Sequence, residues 1–471
     1  MHKTPGDEVI GGTVNTTGAL RVRADRVGAD TALAGIVALV QQAQNSKAPG
    51  QRLADRAAFW LVFVALAGGL GTLLVWLAVG RPVGEAVLFA ITVVVITCPD
   101  ALGLATPTAI MVGSGLGAER GILFKNATAL ETSARIDTVV MDKTGTLTRG
   151  EPEVTDVIVE GIERGRLLMF AAGVERESEH ALAQAVTRYA DEAGVPRLRA
   201  TGFRSLAGHG AGADVEGHRV MVGNRRLMER ENVALGHLGR RRDEVAASGK
   251  TAVLVAVDGN AAAVIGIADA VRTTSAAAVS ALRDAGVRVV MLTGDNTATA
   301  GRIAAELGID TVVAEVLPQD KASKVLEMQR AGRCVAHVGD GVNDAPALAA
   351  ADLGVAIGAG TDVAIETADV VLMRSDLLDV PTALTIGRGT RRKELQSLWW
   401  AIGYNTLALP IAAGVFEPAF GLVLRPEIAA LTMSGSSLLV AANALTLKRL
   451  RLPGRPAEPG PAKTRELQPA G

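Results

Sequence analysis

A chain of 471 residues with 49% hydrophobic residues and a mean hydropathy of +0.28 has room for several domains and is more apolar than an ordinary water-soluble protein, so membrane segments are expected. Its 48 basic and 49 acidic residues leave a net charge of −1, which excludes the basic footprint of a nucleic-acid-binding protein. The two cysteines, Cys98 and Cys334, lie far apart in apolar contexts, which argues against a disulfide framework and suits a reducing compartment.

The first forty or so residues are Gly-rich and polar and lack the basic start and apolar core of a signal peptide. Apolar stretches follow at 57–79 and 86–112, and two more lie at about 398–415 and 428–447. A bilayer-crossing helix needs about 20 residues, so four spans are expected around a central block of more than two hundred residues. An even number leaves both ends on one side. Lys47, Arg52, Arg56, Arg388, Arg391, Arg392, Lys393, Lys448 and Arg449 flank that side, against Arg81 and Arg425 opposite, which places the central block in the cytoplasm. The Pro-rich, charged stretch 453–471 reads as a disordered tail.

Cys98-Pro99-Asp100 interrupts the second stretch. Proline frees a backbone carbonyl and kinks a helix, and an ionisable group at that depth is costly, so a thiol beside a carboxylate there is a transport-site candidate. Further on, the apolar run 138–141 reads as a buried strand ending at Asp142-Lys143-Thr144-Gly145-Thr146-Leu147-Thr148. A carboxylate at the end of a parallel strand faces the crevice where α/β sheets bind ligands, and the residues behind it supply charge and phosphate-cradling amides. Asp142 is therefore a candidate nucleophile. Short β-rich runs such as 287–292 alternate with Ala-rich helical ones, which predicts a parallel sheet with helices on both faces; 149–264 breaks this rhythm and reads as an inserted domain. Three clusters follow apolar runs of the same expected sheet: Thr293-Gly294-Asp295, Pro318-Gln319-Asp320-Lys321, and the run Gly339-Asp340-Gly341-Val342-Asn343-Asp344.

The heptapeptide at Asp142 matches the P-type ATPase signature, and with the three clusters it resembles the haloacid-dehalogenase-like phosphorylation domain of that family. The resemblance implies an α/β phosphorylation domain with an inserted α+β nucleotide-binding domain, joined to an α-helical transmembrane bundle of four spans. It implies that Asp142 accepts phosphate from ATP, that Lys143 and Thr144 belong to the catalytic loop, that Thr293 with Gly294 and Asp295 holds phosphoryl oxygens, and that Lys321 neutralises charge. Asp340, Asp142 and the Thr144 carbonyl would hold Mg²⁺, with Asn343 and Asp344 completing the shell. Soluble phosphatases similar to this fold carry an acid where Thr144 stands, so a longer-lived acyl phosphate is expected here.

In the insert, Glu175, His180, Gly208, Gly210, Gly223 and Asn224 resemble the adenine pocket of the heavy-metal subfamily, with Ala181 where that family carries proline. The broken second span resembles the metal-gating helix of the same subfamily, with Asp100 where its commonest copper form has a second cysteine. Tyr404, Asn405, Met433, Ser436 and Ser437 match the copper-type pattern of the last two spans, and with Cys98 and Asp100 they make up the expected ion site. Soft thiolate and thioether ligands favour Cu(I), whereas a carboxylate tolerates Zn²⁺ and other divalent ions; the expectation is ATP-driven Cu(I) export.

The expected order is an actuator-domain remnant at 1–30, transmembrane helices at 31–120, phosphorylation domain at 121–148 and 265–380, nucleotide-binding domain at 149–264, further transmembrane helices at 381–450 and the tail at 451–471. The actuator's Thr-Gly-Glu loop is not found, so the chain reads as an N-terminally truncated pump of the plasma membrane. Its expected partners are the transported ion, lipid, and a metallochaperone or a missing N-terminal half. Two readings compete, a membrane-tethered phosphatase and a non-catalytic nucleotide- or metal-binding fragment. The first should keep an acid at position 144 and needs no insert; the second should lose a phosphorylation residue.

Overall fold

The computed structural model describes residues 21–23, 41–98, 100–206, 208–340, 344–358 and 366–453. The expected actuator remnant, apart from 21–23, the tail beyond 453, Pro99 and Asn343 lie outside those residues. The chain divides into two compact units, Thr138–Ala351 and a second formed from both flanks, Met1–Asp137 with Asp352–Gly471.

The flanking unit begins with helices Pro49–Ala78, Val83–Ile96 and Asp100–Glu119, then strand β1 (Ile122–Phe124) and helix Ala127–Ser133. Pro49 sits in the first turn of its helix, where its missing N–H is not needed, and the Asn126 side chain starts the short helix by accepting from Ala129 N at 2.7 Å.

In the other unit, β2 (Thr138–Asp142) is followed by β3 (Thr148–Val159), β4 (Ala200–Leu206), β5 (Gly210–Val215), β6 (His218–Gly223), β7 (Thr251–Val257) and β8 (Asn260–Val271). It is completed by β9 (Arg288–Leu292), β10 (Thr311–Val313) and β11 (Val335–Gly339). Strands β11, β2, β9 and β10 lie parallel in that order. Residues 138–142 are buried throughout, as the near-continuous apolar run of a strand covered on both faces requires. The remaining strands form one antiparallel sheet ordered β3-β8-β7-β6-β5-β4. Its first core gathers Leu167, Phe170 and Val174 of helix Arg164–Glu175 with Val220, Val222 and Val255 of the sheet. A second core joins Leu227, Met228 and Leu238 to Leu254 and Val264.

The chain then returns to the flanking unit with β12 (Leu353–Ile357) and β13 (Val370–Leu372), which pair in parallel, while β1 joins β13 antiparallel. Helices Asp379–Ala412 and Pro426–Leu445 close the described chain apart from short turns. Among the described residues two helices are long and apolar enough to cross a membrane, Ala54–Ala78 with mean hydropathy 2.3 and Pro426–Arg449 with 1.5. The other two expected spans lie on helices that do not meet length and hydropathy together. The 86–112 stretch is divided between Val83–Ile96 and Asp100–Glu119, and 398–412 is the end of a 34-residue helix whose first half carries Arg388, Arg391, Arg392 and Lys393. Phe59, Trp60 and Phe63 point outward from the first helix at 60%, 63% and 51% exposure, an apolar face that a water-soluble fold would bury. Trp76 stacks on Phe89 with ring centroids 5.2 Å apart and donates its Nε1–H to Ala413 O at 2.9 Å, and Arg81 meets Glu417 at 2.6 Å.

Candidate active site and ion path

Register brings three of the predicted clusters to one edge. Asp142 pairs with Leu292, so Thr293 follows beside it, and Met141 pairs with Val338, which sets Asp340 two residues beyond on the other side. Asp142, Lys143, Thr293, Lys321 and Asp344 are buried, between 0% and 6% exposed. Polar groups are hidden at this depth only when they answer one another. Lys321, at the start of helix Lys321–Arg330, donates to Asp142 Oδ1 at 2.6 Å and to Asp344 Oδ1 at 2.8 Å. Burial, with the charge of Asp344, pushes the Asp142 carboxyl up to about 6 while Lys321 pulls it down. Burial also works against the Lys321 charge, but Asp142 and Asp344 outweigh it and hold the ammonium above its ordinary range. For Asp344, burial is outweighed by His337 and Lys321, which leave it below the usual carboxylate range.

The loop after β2 is fixed from its backbone. Arg272 donates to Gly145 O at 2.6 Å and Thr146 O at 2.9 Å, Ser275 Oγ donates to Leu147 O at 2.8 Å, and Asp269 accepts from Gly150 N at 3.0 Å. Lys143 meets Asp295 at 2.7 Å and lies 3.7 Å from Asp269, while Asp295 N donates to Thr293 Oγ1 at 3.1 Å. Gly145 has φ +74°, and a Cβ there would stand 2.2 Å from Asp340 Oδ2. That approach needs glycine, and it lays main chain against a carboxylate. Thr144 and Gly294 are both exposed. The oxygen-only set of Asp142, Asp340 and the loop carbonyl suits a hard divalent cation such as Mg²⁺, and the tight Gly145–Asp340 contact holds the set together. Asp269, Arg272 and His337 were not visible as site residues in the sequence. The first two lie where the insert returns to the parallel sheet, a position no local motif marks.

The residues of the expected adenine pocket have local structural work. His180 is exposed and its Nδ1 accepts from Leu182 N at 3.2 Å, capping helix Ala181–Glu192; Ala181 is therefore the first helical residue, where proline would also fit. Asn224 caps helix Arg225–Arg230 through Leu227 N at 3.2 Å and donates to Gly208 O at 2.8 Å. Gly210 and Gly223 are register partners on β5 and β6; a Cβ on Gly210 would stand 2.2 Å from Val222 O, and one on Gly223 would stand 2.3 Å from His209 O. Glu175 ends helix Arg164–Glu175, which packs on β5 and β6, and burial pushes its carboxyl up to about 7.

In the flanking unit, Ser437 Oγ donates to Asp100 Oδ2 at 2.7 Å, and the Tyr404 hydroxyl donates to Thr432, the neighbour of Met433. Ser436 is 4% exposed with its Oγ unpaired among the described residues, whereas Cys98 is exposed at the helix break. Asn405 and Met433 are half-buried. Among the described residues no three His, Cys, Asp or Glu side chains gather as a metal cluster, and the hydrogen bond between Ser437 and Asp100 joins two of the candidates.

An ion-paired aspartate at the end of a parallel strand, with a threonine at the next strand end and a lysine against both carboxylates, is the arrangement of an aspartate-based phosphoryl-transfer domain. The family model for haloacid dehalogenase-like hydrolases matches residues 136–352. The copper-exporting P-type ATPase of Bacillus subtilis (strain 168) is 47% identical over 96% of this chain and 56% of its own length. The silver exporting P-type ATPase of Salmonella typhimurium is 45% identical over 96% of this chain and 55% of its own. A crystal structure of a zinc-transporting PIB-type ATPase superposes with a TM-score of 0.76 at 35% identity, over 89% of this chain and 68% of that one. The chain belongs to the P-type ATPases. It spans a little over half the length of the curated relatives it matches.

Proposed function

We propose that the chain is the catalytic and ion-conducting part of an ATP-driven transition-metal exporter that works through phosphorylation of Asp142, with Cu(I) as the cargo. The observation that carries this reading is the buried Lys321 ammonium lying 2.6 Å from Asp142 and 2.8 Å from Asp344. An Asp142 oxygen attacks the γ-phosphorus of ATP, the bond to the bridging oxygen breaks, and ADP leaves with that electron pair. Lys321 screens the incoming negative charge, and Thr293, 2% exposed beside the nucleophile, has a hydroxyl for the transferred oxygens. Asp142, Asp340 and the Thr144 carbonyl would hold Mg²⁺, which when bound supplies positive charge to the phosphate oxygens. Gly210 and Gly223 pair where β5 begins and β6 ends, with Asn224 bonded to Gly208 beside them, and with Glu175 and His180 they would receive the nucleotide base. Hydrolysis of the acyl phosphate by water completes the cycle.

The block around Asp142 would face the cytoplasm of a plasma-membrane protein, as the basic residues flanking the apolar stretches argue. Cys98, Asp100, Tyr404, Asn405, Met433, Ser436 and Ser437 would pass the ion, delivered by a metallochaperone. Copper and silver are the cargoes named for two relatives, and thiolate and thioether ligands suit Cu(I); the Asp100 carboxylate tolerates a divalent alternative such as zinc. The test is acid-stable labelling from γ-labelled ATP with Cu(I), Zn²⁺ or Co²⁺, in wild type, Asp142→Asn and Cys98→Ala. Label in wild type, absent from Asp142→Asn and stimulated most by Cu(I), is expected. Label retained in Asp142→Asn ends the nucleophile assignment, and equal stimulation by Zn²⁺ ends the copper preference.

A further inference from the structure

His337 is an anomaly in its own strand. The neighbours Val335, Ala336 and Val338 are the apolar residues that a strand buried on both faces demands, yet an imidazole stands among them at 0% exposure. Neither ring nitrogen has a hydrogen-bond partner among the described residues. Leaving such groups unpaired is costly, and folded proteins keep few of them, so a buried unpaired polar group calls for a reason. Its surroundings supply one. His337 pairs in register with Val140, two residues before the nucleophile, and its Nε2 lies 3.6 Å from Asp344 Oδ1. Asp344 accepts from Lys321 at Oδ1, while its Oδ2 is buried and unpaired among the described residues. Donor and acceptor thus face each other across a gap slightly longer than a hydrogen bond, which for N–H···O spans about 2.7–3.2 Å. Catalytic hydrogen bonds are often long in an unliganded site and tighten when it is loaded.

We propose that His337 is a positioning residue for phosphoryl transfer: its Nε2–H donates to Asp344 and fixes the carboxylate that holds Lys321 against Asp142. The contacts run in one line, from His337 to Asp344, from Asp344 to Lys321, and from Lys321 to Asp142. Without the imidazole, Asp344 keeps one anchor only and can rotate, carrying the lysine out of line with the nucleophile. His337 reaches neither the reacting atoms nor the nucleotide, so its removal slows the chemical step and leaves ATP binding alone. The inference rests on the proposed phosphorylation of Asp142.

The experiment compares full-length wild type, His337→Leu and His337→Gln for the rate of acid-stable phosphoenzyme formation, its half-saturating ATP concentration and thermal unfolding. His337→Leu is expected to slow phosphorylation about tenfold at unchanged half-saturation, and His337→Gln, which keeps an N–H donor, to recover to within about threefold of wild type. A wild-type rate in His337→Leu overturns the proposal, as does a His337→Gln enzyme as slow as His337→Leu with both folded normally, which would mean a packing role. Failure of wild type itself to label overturns the nucleophile reading instead. The pairing is then read from the imidazole ¹⁵N spectrum: an exchange-protected Nε2–H lost in Asp344→Leu supports it, and a freely exchanging one overturns it.

Discussion

On the parallel sheet, Asp142, Asp344 and Lys321 are hidden together and each answers another's charge; on the inserted antiparallel sheet, Glu175 is drawn into a low-dielectric setting where burial alone acts on its carboxyl. The first arrangement keeps ionised groups ready at the cost of fixing them. The second keeps one acid close to neutral and leaves it open to change when something arrives to pair with it. Desolvation penalises a charge in both places, and what separates them is a lysine. A site built for chemistry holds its charges in place beforehand, whereas a site built for binding can let a ligand complete it.

The largest effect that tests this contrast is at Asp142. Asp142→Asn removes the attacking oxygen's charge while keeping its shape, and phosphoenzyme formation should fall by at least about a thousandfold, measured by acid-stable label. Gly145→Ala should follow. The loop backbone sits at φ +74° and the new methyl would stand 2.2 Å from Asp340 Oδ2, so Asp340 must leave its place against the loop. A loss of about a hundredfold in phosphorylation is expected, with only a small change in unfolding temperature, because Arg272 and Ser275 still hold the loop from the other side. A Gly145→Ala enzyme with wild-type rate would show that Asp340 is not needed where it stands.

At the helix break of the flanking unit the polar candidates are open to their surroundings. Asp100 accepts from the Ser437 hydroxyl at 2.7 Å, and Cys98 is exposed. Asp100→Ala should raise the metal concentration for half-maximal stimulation of ATP hydrolysis by about tenfold, and Ser437→Ala by less, since the carboxylate remains. Equal loss in both variants would mean that the hydroxyl, and not the carboxylate, meets the ion.

Legibility in the sequence followed the same division. Asp142, Thr293 and Asp340 could be read because each ends an apolar run, and parallel pairing then carries such ends to one edge. Lys321 could be read only as part of a motif, since nothing local says that a lysine opening a helix will turn to a carboxylate 179 residues earlier in the chain. His337 was hidden for the opposite reason: one polar residue in an apolar strand makes no pattern, and its partner Asp344 comes from the next element. Gly210 and Gly223 were visible as glycines expected to admit a ligand, but a Cβ on either would strike the facing strand, so the sheet alone already requires them. Two of the four expected spans meet length and hydropathy as single helices, and the break read at Cys98-Pro99-Asp100 falls where Thr97 ends one helix and Asp100 begins another.

The smallest predicted effect bears on Glu175, and it separates the two kinds of site most cleanly. Its carboxyl is raised from 4.5 to about 7, with burial as the cause. The folded state therefore binds this proton more tightly than the unfolded chain does, so the stability it contributes is fully present below about pH 4.5 and is lost as pH rises through about 7. Because Glu175 is partly open to solvent, the loss should be about 1–2 kcal/mol rather than the full linkage value. Denaturant unfolding of wild type at pH 5 and pH 8, beside Glu175→Gln, reads it directly: the variant should lose this part of the pH dependence and match or exceed wild type at pH 8. Were Glu175 paired with a hidden cation, its carboxyl would be pulled down and the slope in wild type would shrink, and burial alone would no longer describe this acid.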